Sequence, residues 1–124
     1  MQFSKAVENF ATDNQTWLGS RHGTDVASTV TIDGAAAATA GFVDHIPSGI
    51  PLKVDAVSGK YEPVDAVGDV LAGFLLTAQA FDGASDVVAP LLDRGRVRAT
   101  RLPDAAFDVT TLTTPNPLFV IQED

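Results

Sequence analysis

The sequence predicts an all-β or β-rich fold: one compact domain of short strands and hairpins, with a minor helix and an extended N-terminal arm. Three observations lead there. Apolar residues alternate or run in short stretches rather than recurring at helical spacing, Gly, Pro, Asn and Asp turn signals interrupt the chain every few residues, and 124 residues suffice for a single core. The expected boundaries are 1–27 for the arm and 28–124 for the β-rich domain.

In the arm, Ser4 caps a turn in which Phe3, Val7 and Phe10 fall near one face, but about seven residues do not hold a helix alone. ATDNQTWLGSRHGTD follows, broken by Asn and Gly, with Trp17-Leu18 as its one large anchor. MQFSKAVENFATDNQTW has no apolar core of the secretory type, so the Asn14-Gln15-Thr16 sequon is expected to be a chance match. From Ser28 the pattern turns β. STVTID places Val30 and Ile32 on one face and Thr29, Thr31 and Asp33 on the other. For GAAAATAG, helix, loop and poor strand compete, since alanine favours helix but the stretch is short and bounded by glycines.

IPSGIPLKVDAVSGKYEPV reads as a hairpin punctuated by Pro47-Ser48-Gly49 and Ser58-Gly59, with Leu52, Val54 and Val57 inward and Tyr61 and Val64 answering them. DVLAGFLLTAQAF is the candidate central strand, its Gly73 marking a bulge or a close backbone approach. VVAPLLD and RVRATRL are split by the Asp93-Arg94-Gly95 turn, and Pro90 pushes the first towards an edge or a bulge. In the second, Arg96, Arg98 and Thr100 share one face and Val97, Ala99 and Arg101 the other, until Pro103 ends it. FDVTTLTTPNPLFVIQED adds two β runs around Pro115-Asn116-Pro117, for six or seven strands in all.

Composition excludes several functions. With 45% hydrophobic and 19% charged residues the chain is globular rather than disordered, and no stretch approaches the roughly 20 apolar residues of a membrane helix. The absence of cysteine rules out disulfides, thiolate metal sites and Cys nucleophiles. Sixteen acids against eight bases give a net charge of −8, which disfavours nucleic acid as a partner. Four of the eight bases, Arg94, Arg96, Arg98 and Arg101, fall in one run, read equally as a basic interface strand for an acidic partner or as a solvated strand face. His22 and His45 lack a second ligand at metal spacing, no G-x-S-x-G elbow or phosphate-binding glycine loop is present, and the carboxylates are scattered through turns. No catalytic, cofactor-binding or metal-binding residue is therefore expected.

The order WLGSRHGTDVASTVTID, IPSGIPLKV with GKYEPV, AGFLLTAQAF, and the pair V-x-x-x-L-L-D-x-G-x-V ending in RLP resembles the head decoration proteins of tailed bacteriophages. These are relatives of the lambda decoration protein, particularly in phages infecting actinobacteria. The resemblance runs from about Trp17 to Pro103; residues 35–40 and the segment after Pro103 depart most from the family's pattern. It implies a β-rich, β-tulip-like structural protein, not an enzyme, assembled in the host cytoplasm into a homotrimer. On the virion it would clamp the major capsid protein of the same phage on the outer surface of the expanded head, with no cofactor, nucleic acid or membrane. It also implies an N-terminal arm that adds a strand to capsid elements. The candidate arm contacts are Phe10, Trp17, Leu18, Gly19 and His22, with Trp17 the expected hot spot, set against the alternative that its indole packs on its own domain. Two other classes stand beside it: a small surface-displayed binding module, such as a host or carbohydrate adhesin, which would expose clustered aromatics, and an enzyme, which would bring His22 or His45 to a Ser or carboxylate in a pocket.

Overall fold

In the computed structural model, residues 16–19, 27–103, 106–114 and 116–122 are described. Phe10, His22 and the rest of residues 1–15 and 20–26 of the expected arm lie outside them. The described chain is strand-rich, with one small helix, and its centre is a closed five-stranded barrel.

The alternating STVTI stretch forms β1 (Ser28–Ile32), burying Val30 and Ile32 as its pattern requires. GAAAAT is helical: α1 (Gly34–Thr39) is nucleated by Asp33, whose Oδ1 accepts the N–H groups of Ala35 and Ala36 at 2.9 and 3.3 Å. A second carboxylate, Asp86, accepts the Gly34 N–H at 2.9 Å, so the cap and a neighbouring loop resolve the ambiguity in favour of helix.

The hairpin forms as β3 (Pro51–Val54) and β4 (Tyr61–Pro63), in register Leu52↔Pro63, Lys53↔Glu62 and Val54↔Tyr61. Its facing differs in part from expectation. Leu52 and Val64 are buried, but Val54 points to solvent and Val57, at the tip, is 96% exposed. The tip is ordered by its own hydrogen bonds, Asp55 Oδ1 accepting the Val57 N–H and Lys60 O accepting the Asp55 N–H.

DVLAGFLLTAQAF divides into β5 (Gly73–Leu75) and β6 (Gln79–Ala80), and β6 pairs with β2 (His45–Ile46) as a separate ribbon. β5 is central, lying between β3 and β7 (Val87–Leu92). At Gly73 the backbones meet so closely that a Cβ would stand 2.5 Å from Leu92 O. β7 pairs along its length with β1, which closes the barrel in the order β1-β4-β3-β5-β7. Pro90 thus occupies an interior strand rather than an edge or bulge. Its carbonyl faces the β5 side and accepts the Leu76 N–H at 3.0 Å; the missing donor falls on that side too, beyond the end of β5.

The barrel encloses Val30, Ile32, Ile46, Ile50, Leu52, Leu75, Ala89 and Leu91. A second core covers its outer wall, where Phe74 and Leu92, neighbours of inward Leu75 and Leu91, meet Trp17, Leu71, Val97, Val109 and Phe119. Both faces of β5 and β7 are buried at these positions, which explains why FLL and LL run without alternation. Phe74 stacks edge-on to Phe119 at 5.1 Å and tilted against Trp17 at 5.6 Å.

Over that core lies a parallel pair, β8 (Gly95–Arg98) and β9 (Phe119–Gln122). β8 is shorter than the expected strand, because Ala99–Arg101 turn into a 3-10 helix. The first expected β run of the tail is likewise a 3-10 turn, Val109–Thr111, capped by Asp108 Oδ1. Nine strands replace the expected six or seven among the described residues, several of only two or three residues.

Candidate functional site

Four sequence blocks converge on one junction. The Trp17 Nε1–H donates to Ser48 Oγ at 2.9 Å, and the Ser48 hydroxyl donates to the Leu76 carbonyl at 2.8 Å. Ser48 is the one buried polar side chain among the described residues, and this chain of bonds satisfies it. Gly49, at φ +96°, donates its N–H to Leu75 O; a Cβ there would stand 2.9 Å from both the Trp17 indole nitrogen and Pro103 Cδ. On the other side, Arg98 N–H donates to Trp17 O at 2.7 Å and Gly19 N–H to Arg96 O at 2.9 Å, with Leu18 bridged antiparallel to Val97.

Trp17, Leu18 and Gly19 therefore extend the β8–β9 sheet of their own chain. This corrects two expectations. The indole is 0% exposed and offers no surface to a partner, so Trp17 is a core residue rather than a capsid anchor. Residues 16–19 belong to the packed domain, although the arm was expected to extend to 27. Leu18 packs half-buried on the second core, and a Cβ at Gly19 would stand 2.8 Å from Arg96 Cβ. The signal for this in the sequence was the unalternating FLL and LL runs, which require a second cover that the β pattern alone does not name.

The four arginines lie on and beside β8. Arg96 and Arg98 alternate outward with buried Gly95 and Val97, as expected. Arg101 does not share the face of Val97, since the 3-10 turn carries it to the surface. Arg94 Nε is 3.3 Å from its neighbour Asp93, whereas Arg96, Arg98 and Arg101 have no carboxylate within 4.0 Å among the described residues. Register sets Val120 beside Arg96 and Gln122 beside Arg98 on one sheet face, with Val120 half exposed. Among the described residues β9 pairs only with β8, leaving its outer edge open.

The lysines behave differently. Lys53 Nζ bridges Asp65 Oδ1 at 3.1 Å and Asp69 Oδ2 at 3.0 Å, and Asp69 also accepts the N–H groups of Asp65 and Ala66. Burial opposes the Lys53 charge, but the bonds to Asp69 and Asp65 outweigh it and raise its pKa above the usual value. Lys60 reaches Asp86 at 2.8 Å, which raises the lysine; Asp86 is lowered first by the Gly34 N–H and then by Lys60. Asp82 is lowered by the N–H groups of Ser85 and Ala84. These carboxylates fix loops. His45 is exposed at the start of β2, and no three of His, Cys, Asp and Glu among the described residues are grouped so as to hold a metal ion.

No protein-family model matches the chain, and no curated protein matches it significantly.

Proposed function

We propose that the chain is a decoration protein of a tailed-phage head: a homotrimer that sits on the outside of the expanded shell and clamps neighbouring major capsid proteins. The observation that carries this reading is the meeting in space of the blocks that bear the resemblance. WLG, IPSG, AGFLL, G-x-V and the Pro of RLP, 86 positions apart at the extremes, pack at one junction around Trp17, Ser48 and Gly49. A resemblance made of core and turn positions in mutual contact is the kind that a shared fold produces. The aromatic side chains support a structural role over carbohydrate binding, because every described one is buried or half-buried.

In this reading the stretch before Trp17, with Phe10, is the part that contacts the capsid, and Trp17 to Gly19 pin its root to the domain. The output is mass action. A trimer that binds only the expanded lattice stabilises it by about 2.7 kcal/mol at a hundredfold excess over its dissociation constant, and three linked contacts add avidity. Mixing the purified protein with expanded and unexpanded heads tests the reading. Saturable binding to expanded heads alone is expected; equal binding to both forms, or to neither, refutes it.

A further inference from the structure

We propose that the outer face of the β8–β9 sheet, formed by Arg96, Arg98 and Val120, is a contact surface between copies of this chain, and that the neighbouring copy presents carboxylates to it. The inference deepens the trimer reading above and rests on it.

Charge bookkeeping within the fold points there. In a chain with sixteen acids and eight bases, every cation has carboxylates to spare, and both described lysines hold them. The guanidiniums of Arg96 and Arg98 hold none among the described residues, although they stand exposed two positions apart on one strand face. Arg101 extends the positive surface past the end of β8, and half-exposed Val120 sits beside Arg96, so the patch combines apolar area with forked donors.

Carboxylates that could answer them stand elsewhere on the chain, none within 4.0 Å of Arg96 or Arg98 among the described residues. Asp86 precedes β7 and Asp93-Arg94 follow it, so the six-residue strand separates the two ends by roughly 20 Å. Asp44, Asp82 and Asp86 line a concavity of about 370 Å³ at the Asp86 end; Asp86 also holds Lys60, and Asp82 the N–H groups of Ala84 and Ser85, but all three acids remain exposed. A two-fold contact through the β8–β9 face would set arginine against arginine. A head-to-tail contact sets arginine against carboxylate, and such contacts close into a ring of three where each copy is rotated by about 120° from the last.

The test is sedimentation velocity with light scattering on the full chain across a salt series, for wild type, Arg96→Glu/Arg98→Glu and Arg96→Lys/Arg98→Lys. The trimer of the wild type should weaken as salt rises. The glutamate pair should raise the dissociation constant tenfold or more, roughly, and lower the melt only at concentrations where the wild type is trimeric, the two melts coinciding on dilution, and the lysine pair should retain most of the association. Glutamate variants that assemble like wild type, or a monomeric wild type, overturn the inference. Glutamate variants that stay trimeric but lose binding to expanded heads also overturn it, assigning the face to the capsid while leaving the decoration reading intact. A salt-sensitive trimer that the glutamates disrupt, but that binds no heads, does the reverse.

Discussion

Replacing Trp17 distinguishes a core residue from an interface anchor. Trp17→Ala removes a side chain with 0% exposure, packed 5.6 Å from the Phe74 ring, and such truncations cost about 3–5 kcal/mol in transfer and cavity terms. The indole bond to Ser48 adds about 1 kcal/mol; Ser48 still donates to Leu76 O and loses only the proton that it accepted. The sum, about 4–6 kcal/mol, is a large share of the ~5–15 kcal/mol by which domains are stable. For a chain of this size it lowers Tm by roughly 12–25 °C. Trp17→Phe keeps most of the ring and should lose about 1.5–3 kcal/mol. Far-UV circular dichroism in urea and heat is the assay, since the protein's one tryptophan is the residue removed. An alanine variant within about 0.5 kcal/mol of wild type would refute the burial argument and return Trp17 to the role of exposed anchor.

Further outcomes follow from the same geometry. Gly73→Ala sets a Cβ 2.5 Å from Leu92 O and should cost about 1–3 kcal/mol or more, while Gly68→Ala, with nothing within 4 Å, should stay within about 0.5 kcal/mol; urea midpoints check both. Asp33→Ala removes the α1 cap and should lose about 1 kcal/mol, read the same way. The lowered carboxyls of Asp82 and Asp86 titrate below their unfolded value of about 3.9, so their contribution is present above about pH 4 and is lost as pH falls through the folded values. Tm should accordingly fall on acidification below about pH 4, and Asp86→Asn should flatten that slope; an unchanged slope counts against the assignment. Deleting residues 1–15 should leave a folded domain, whereas deleting 1–27 removes Trp17 and should abolish the cooperative melt.

The sequence made the β-rich class legible through periodicity, because β1 buries one face and β8 alternates as a half-covered strand must. The hairpin was legible through its turns, yet Val54 and Val57 were placed inward because apolarity was read without knowing where the strand leaves the barrel. Pro90 was tolerable inside the barrel only because β5 stops short, a fact about a distant segment. α1 depended on two carboxylates, one of them Asp86, 52 positions from the Gly34 N–H that it accepts. At the candidate surface the outward arginines were visible as alternation, but the lysine pairings that set them apart are tertiary. Trp17 was legible as important, but the sequence left anchor and core readings both open and favoured the anchor: a lone indole among polar residues looks like one until Ser48 and Phe74 are brought to it.

The decoration reading proposed above would make this chain a trimeric clamp of expanded phage heads. Cosedimentation of the purified protein with expanded, undecorated heads, with bound copies counted per lattice three-fold, tests it most directly. The account predicts saturation at three copies per three-fold position and no binding to unexpanded heads. Monomeric protein bound without such stoichiometry, or no binding at all, would contradict it.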